Sequence, residues 1–133
     1  MKSKIVYLQG EDNSKFVGRI CRVTLSKTGK TLSYKGYEFI KIQGYKTNHL
    51  EVNSNYEYWI SNPKKLGNDT LYPGVVFIDE DVREEYWMSI RKLPQNTEMS
   101  SYRCNGKYSR RKPHAELNVS GSARNGGDRA QQA

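Results

Sequence analysis

The stretch Val75-Val-Phe-Ile-Asp-Glu-Asp-Val-Arg-Glu-Glu-Tyr-Trp-Met-Ser-Ile-Arg-Lys-Leu-Pro94 marks where this chain changes its local structure. Val75–Ile78 is a short apolar run behind a Pro-Gly turn, the pattern of a strand. Asp79 suits an N-cap, and Glu80 and Asp81 place acids in a first turn, at the positive end of a helix dipole. Val82, Tyr86, Ile90 and Leu93 then recur at helical spacing and define one apolar face. Arg91 and Lys92 complement the C-terminal end of that dipole, and Pro94 stops the helix. The reading predicts an α-helix over 79–93. Trp87 flanks the stripe, four residues before Arg91 and within cation–π reach of it.

Upstream of this point the pattern has the period of strands. Tyr56-Glu-Tyr-Trp-Ile-Ser61 alternates Tyr56, Tyr58 and Ile60 against Glu57, Trp59 and Ser61, the clearest strand in the chain. Further strands are predicted at Gly18–Leu25, Thr31–Tyr34, Tyr37–Ile42, His49–Val52, Thr70–Tyr72 and Val75–Ile78. Between them lie turns with suitable chemistry, among them Ser26–Lys30, Lys35-Gly36, Asn53–Asn55 and Pro73-Gly74. Turns at this spacing favour a small antiparallel meander, or an SH3-like, partly open barrel of five or six short strands, over a βαβ fold. The fold class is therefore mainly β (α+β), with one C-terminal helix. After Pro94 the apolar period is lost, so the sequence predicts a single domain over 1–96 and a basic, disordered tail over 97–133.

Charge follows the same division. The 133 residues carry a net charge of +8. Residues 1–100 hold 15 Lys and Arg against 12 Asp and Glu, whereas 101–133 hold 7 against 2. The basic excess is thus concentrated in the tail, with Arg110-Arg-Lys112 its densest run, and it says less about the folded part. No run of apolar residues is long enough to span a bilayer. The apolar run near the N-terminus, Ile5–Leu8, is shorter than the core of a secretory signal. Cys21 and Cys104 are too few for a disulfide framework, so the expectation is a cytoplasmic chain with free thiols and no membrane partner.

Catalytic motifs are not evident. Gly29-Lys-Thr31 matches the end of a phosphate-binding loop, but Thr24 stands where the first glycine belongs and strands flank it on both sides. A hairpin turn explains it. His49 and His114 have no Cys or carboxylate at metal-ligand spacing. Neither cysteine has a nearby histidine to activate it. The acids Asp79, Glu80, Asp81, Glu84 and Glu85 read as helix capping and a solvated face. The sequence thus predicts no cofactor, no metal and no catalytic residue.

What remains is a pattern of interleaved aromatic and basic residues: Tyr34, Lys35 and Tyr37; Tyr45 and Lys46; Trp59; Lys64 and Lys65; Trp87 and Arg91. Two binding roles fit this candidate surface. In the first, an accessory module contacts a protein partner through exposed aromatics, with Trp59 and Trp87 as anchors. In the alternative, a module for single-stranded nucleic acid stacks bases on tyrosines while lysines neutralise phosphates.

Tyr56-Glu-Tyr-Trp-Ile-Ser-Asn-Pro-Lys-Lys65, Asn68-Asp-Thr-Leu-Tyr72 and Ile78-Asp-Glu-Asp-Val-Arg-Glu-Glu-Tyr-Trp87 resemble segments of a family of short, uncharacterised bacterial proteins. Gly29-Lys-Thr-Leu32 and Gly44-Tyr-Lys-Thr-Asn48 fit the same pattern, so the similarity covers about residues 25–95. Some members carry a 1-deoxy-D-xylulose-5-phosphate synthase label. That activity needs thiamine diphosphate, whose Gly-Asp-Gly motif this chain lacks. The resemblance implies a bacterial, cytoplasmic protein with a shared core and its own decorations at either end. It implies no residue roles.

Overall fold

The computed structural model describes residues 2–11 and 14–106. Eight strands form one sheet: β1 (Lys2–Gly10), β2 (Arg19–Leu25), β3 (Thr31–Tyr34), β4 (Tyr37–Lys41), β5 (His49–Glu51), β6 (Glu57–Ser61), β7 (Gly74–Ile78) and β8 (Ser101–Cys104). The first six run antiparallel in chain order, and β1 pairs with both β2 and β6, which closes them into a barrel. Closure joins the two outer strands of the six-stranded meander, whose free edges would otherwise be a liability of a small β fold.

One corner of the barrel departs from the simple meander. β3 pairs only with Thr24 and Leu25 of β2, leaving the start of β2 open on that side. There Arg19 and Ile20 pair in parallel with Phe77 and Ile78 of β7, and β8 adds antiparallel to β7. The sheet thus continues past the barrel as a two-stranded ribbon.

This arrangement gives the protein two cores. Val6, Leu8, Cys21, Val23, Phe39, Tyr58 and Ile60 face into the barrel. Ile5, Tyr7 and Ile20 point the other way, into a layer completed by Val76, Ile78, Val82, Tyr86, Trp87 and Cys104. β1 is therefore covered on both faces, which explains the unbroken Ile5-Val-Tyr-Leu8 run. The sequence reading assigned no strand there.

The helical segment, α1 (80–90), covers the outer core. It opens as a 3-10 turn (Glu80–Val82), passes through a single α turn (Arg83–Glu85) and ends as a π turn (Tyr86–Ile90). Its end is sealed by Arg91 N–H donating to Tyr86 O at 2.9 Å, with Lys92 in the left-handed region at φ 57°. The expected helix to Leu93 is thus shorter and mostly not α. The widened turn brings the adjacent rings of Tyr86 and Trp87 against the sheet together, and both are buried. Fully burying a large apolar side chain is worth about 1.5–3 kcal/mol, which offsets the poorer hydrogen bonds of such a turn.

Three further expectations are corrected. Residues 70–72 form no strand; Asp69 and Thr70 are instead buried in a loop. The folded unit continues past residue 96, because Ser101–Cys104 pairs with β7 and Cys104 lies in the outer core. Asp79 makes no side-chain cap hydrogen bond, and its carboxylate turns to Arg19 and Tyr34 instead. The run Arg110–Lys112 and His114 lie outside the described residues. Among the described residues no helix is long and apolar enough to cross a membrane.

Candidate functional site

The antiparallel order sends the ends of β1, β3 and β5 and the starts of β2, β4 and β6 to one end of the barrel. That end is plugged. Phe16, from the β1–β2 loop, packs edge-on against Tyr34 and Tyr37 at 5.0 and 5.2 Å, above an edge-on Phe39–Tyr58 pair at 4.9 Å. Tyr34 is buried and donates its hydroxyl proton to Asp79. It offers no open face, contrary to its place in the candidate surface. Tyr37 is half-buried under Lys15, whose Nζ lies 5.4 Å from its ring, and only Lys35 is exposed.

A second group lies over the outer core and is structural. Trp87 is only 1% exposed and donates Nε1–H to Met99 O at 2.9 Å, so it anchors the fold rather than a partner. Trp59 is partly buried against the same core. Arg91 lies 5.0 Å from the ring centroids of both Trp87 and Tyr102 and donates to Tyr86 Oη at 3.0 Å. Its charge is engaged internally. Buried Asp69 accepts Lys64 N–H at 2.7 Å and Tyr102 O–H at 2.8 Å, and desolvation raises its pKa. The Lys64 and Lys65 side chains remain exposed.

A third group is on the surface. Tyr45 is 84% exposed in the β4–β5 loop, and Lys46 Nζ lies 5.6 Å from its ring and 5.0 Å from that of Tyr72. The ten sequence-derived residues therefore do not form one surface. Tyr45, Lys35, Lys64 and Lys65 are exposed and Lys46 is half-buried, donating to Tyr72 Oη, whereas Tyr34 and Trp87 are buried.

The opposite end of the barrel is open, over a cavity of about 240 Å³. Val6, Leu25, Leu32 and Ile60 make its floor, with Asn48, His49 and Ser61 in the wall. Lys4 and Lys41 stand at the rim, and among the described residues no carboxylate lines it. Lys4 Nζ reaches Asn62 Oδ1 at 3.4 Å. Across the β4–β5 ladder Lys41 pairs with His49, and the Gly29 hairpin closes one side of the rim. That hairpin is the phosphate-loop look-alike, and Gly29 N–H donates to Ser26 O at 2.9 Å as an ordinary turn. His49 is buried, and desolvation, then Lys41 and Lys4, push its pKa down to about 4. Ser61 Oγ is buried and has no hydrogen-bond partner among the described residues.

Lys4, Lys41, His49 and Ser61 are not part of the candidate surface expected from sequence, where His49 is only an isolated histidine. The signal was their position at strand ends that share one end of the barrel, which becomes legible only once β1 is counted as a strand.

Chemically, the mouth suits an anion with an apolar body. Among the described residues no group of three or more His, Cys, Asp or Glu side chains could hold a metal ion. Glu85 is paired with Arg22 at 2.7 Å and Asp79 with Arg19 at 3.0 Å. Fold and site together define a small closed β-barrel with one plugged end and one open, basic end. No family model matches the chain, and neither a curated protein nor a solved structure was found to be similar to it.

Proposed function

We propose that this protein is a non-catalytic binding module for single-stranded nucleic acid, engaged at the open end of the barrel. The observation that carries this reading is a cavity with an aliphatic floor and a rim of Lys4 and Lys41, which no carboxylate lines among the described residues. The β4–β5 loop springs from the same rim and carries the exposed ring of Tyr45 beside Lys46. Small barrels hold single strands by this combination of phosphate neutralisation and ring stacking. A cytoplasmic location and kinship with the short bacterial proteins belong to the same proposal. Two buried free cysteines agree with a reducing compartment.

The test is fluorescence anisotropy of labelled single strands and duplexes over a salt series. Single strands are expected to bind more tightly. Lys4→Ala and Lys41→Ala should each reduce the salt slope by about 0.7 for every phosphate that the missing lysine had neutralised. Tyr45→Ala should cost about 1–3 kcal/mol if one base stacks there. Absence of binding at low salt would end this reading.

A protein-partner reading is favoured by a separate observation. Val17, Val75 and Phe77 are 53%, 41% and 47% exposed, and Phe77 N–H donates to Gly18 O beside Val17. A stoichiometric partner captured from a bacterial lysate, and absent with Phe77→Glu, would support it. Capture that survives Phe77→Glu would place the interface elsewhere.

A further inference from the structure

We propose that the open mouth of the barrel is a nucleotide pocket, in which His49 accepts an N–H of the base while Lys4 and Lys41 hold the phosphate. The inference rests on the single-strand reading for the chemistry of its ligand, but it concerns one cavity and one hydrogen bond.

The histidine tautomer follows from its neighbours. Asn48 Oδ1 accepts Ile60 N–H at 2.9 Å, and Asn48 Nδ2 donates to Ile60 O at 2.8 Å. A backbone N–H only donates and a carbonyl only accepts, so these two bonds fix which end of the amide is oxygen. His49 Nδ1 lies 2.9 Å from that same oxygen and must therefore carry the ring proton. The ring is neutral at physiological pH, because burial and the flanking lysines hold its pKa near 4. Nε2 is left as the acceptor of the ring, on a side chain that lines the cavity.

The ligand must then meet three requirements. It needs an anionic group for the lysines, an apolar ring system for the aliphatic floor, and an N–H for Nε2. Inorganic phosphate meets the first alone. An aliphatic carboxylate meets the first two but desolvates Nε2 without pairing it, which costs roughly tenfold or more in affinity. A nucleotide meets all three. The cavity of about 240 Å³ has room for one base rather than a stack. The nucleotide is either free or part of a strand, and the experiment separates the two.

Full-length protein is titrated calorimetrically with AMP, CMP, ribose 5-phosphate and inorganic phosphate, and separately with an oligonucleotide. At least one mononucleotide is expected to bind tenfold or more tightly than ribose 5-phosphate. His49→Phe should erase that difference, and Lys41→Ala should weaken all four ligands. In wild-type protein the His49 Nε2 nitrogen resonance should move with the mononucleotide and not with ribose 5-phosphate, which keeps the test decisive if His49→Phe does not fold. Equal affinity for mononucleotides and ribose 5-phosphate, or an unmoved Nε2 resonance, overturns the pocket. Strand binding alongside such a result keeps the single-strand reading. Mononucleotide binding without strand binding sustains the pocket and ends that reading. Loss of both ends both.

Discussion

Arg19 Nη1 lies 3.0 Å from Asp79 Oδ1, which ties the start of the barrel's second strand to the residue that opens the helical segment. Tyr34 completes the group, donating to the other carboxylate oxygen while its own oxygen accepts from Arg19 at 3.3 Å. Asp79 is therefore a bracket between barrel and helix, although its sequence context reads as an N-cap. The two roles predict different mutants. A cap survives replacement by serine, which caps as well as aspartate. A bracket does not. Asp79→Ser is expected to lose about 2 kcal/mol, as much as Asp79→Ala, because either leaves the partly buried Arg19 guanidinium without its counter-charge. Urea denaturation measures both, and a Ser variant at wild-type stability would restore the capping role.

His49 gives the fold an acid-sensitive term. Its pKa is held at about 4 in the folded protein, against about 6.5 for a free histidine. The unfolded chain therefore takes up the proton first, and stability falls as pH drops from about 6.5 towards 4. The loss is roughly 2 kcal/mol between pH 7 and 5, approaching about 3 kcal/mol below pH 4. His49→Gln should remove this part of the pH dependence, leaving the titration of the carboxylates. Parallel stability-against-pH curves for the two proteins between pH 7 and 5 would contradict it.

The strands read from sequence are those that combine alternation with turn chemistry. β6 shows its period of two because Tyr58 and Ile60 face the barrel core while Glu57 faces solvent. β1 hides because two cores claim opposite faces of Ile5–Leu8, so alternation vanishes. β8 hides for another reason. Ser101–Cys104 is a strand only through pairing with β7, and Cys104 is buried because Thr70 Oγ1 donates to its sulfur at 3.0 Å while the thiol donates to Gly67 O at 3.2 Å. The same limit applies to the site. Tyr45 and Lys46 were legible because they sit in a polar loop. His49 looked isolated because its charged neighbours, Lys41 and Lys4, come from other strands. Trp87 looked like a flanking residue because a regular α-helix would carry it off the face that the π turn lets it share with Tyr86.

Two glycines with the same backbone should respond differently to alanine. Gly29 and Gly67 lie at φ 76° and 79°, where a Cβ costs about 1–2 kcal/mol. At Gly29 a methyl would meet nothing within 4 Å. At Gly67 it would lie 2.5 Å from the Arg91 guanidinium, which the Trp87 and Tyr102 rings hold in place. Gly67→Ala is therefore expected to destabilise by at least about 1 kcal/mol more than Gly29→Ala, a spread typical of a steric clash added to backbone strain. Thermal melts of the pair measure the difference. Equal melting shifts would mean that Arg91 is free to move aside.

Ending the chain at residue 96, where the apolar period stops, should unfold the outer core. That cut removes β8 and with it the stack of Tyr102 on Tyr86 at 5.9 Å. It also strips Met99 O from Trp87 Nε1 and Tyr102 O–H from buried Asp69. Each buried group left unpaired costs about 1–3 kcal/mol, and the missing packing adds to that. The total approaches the whole stability of a small domain, about 5–15 kcal/mol. The 1–96 chain is expected to show no cooperative urea transition and a collapsed amide spectrum, while the full-length chain unfolds in one step. The single variant Tyr102→Phe isolates one term, leaving the ring in place and the Asp69 oxygen unpaired, and should cost about 1–2 kcal/mol. A 1–96 chain with the urea midpoint of the full-length protein would show that the barrel stands without its ribbon.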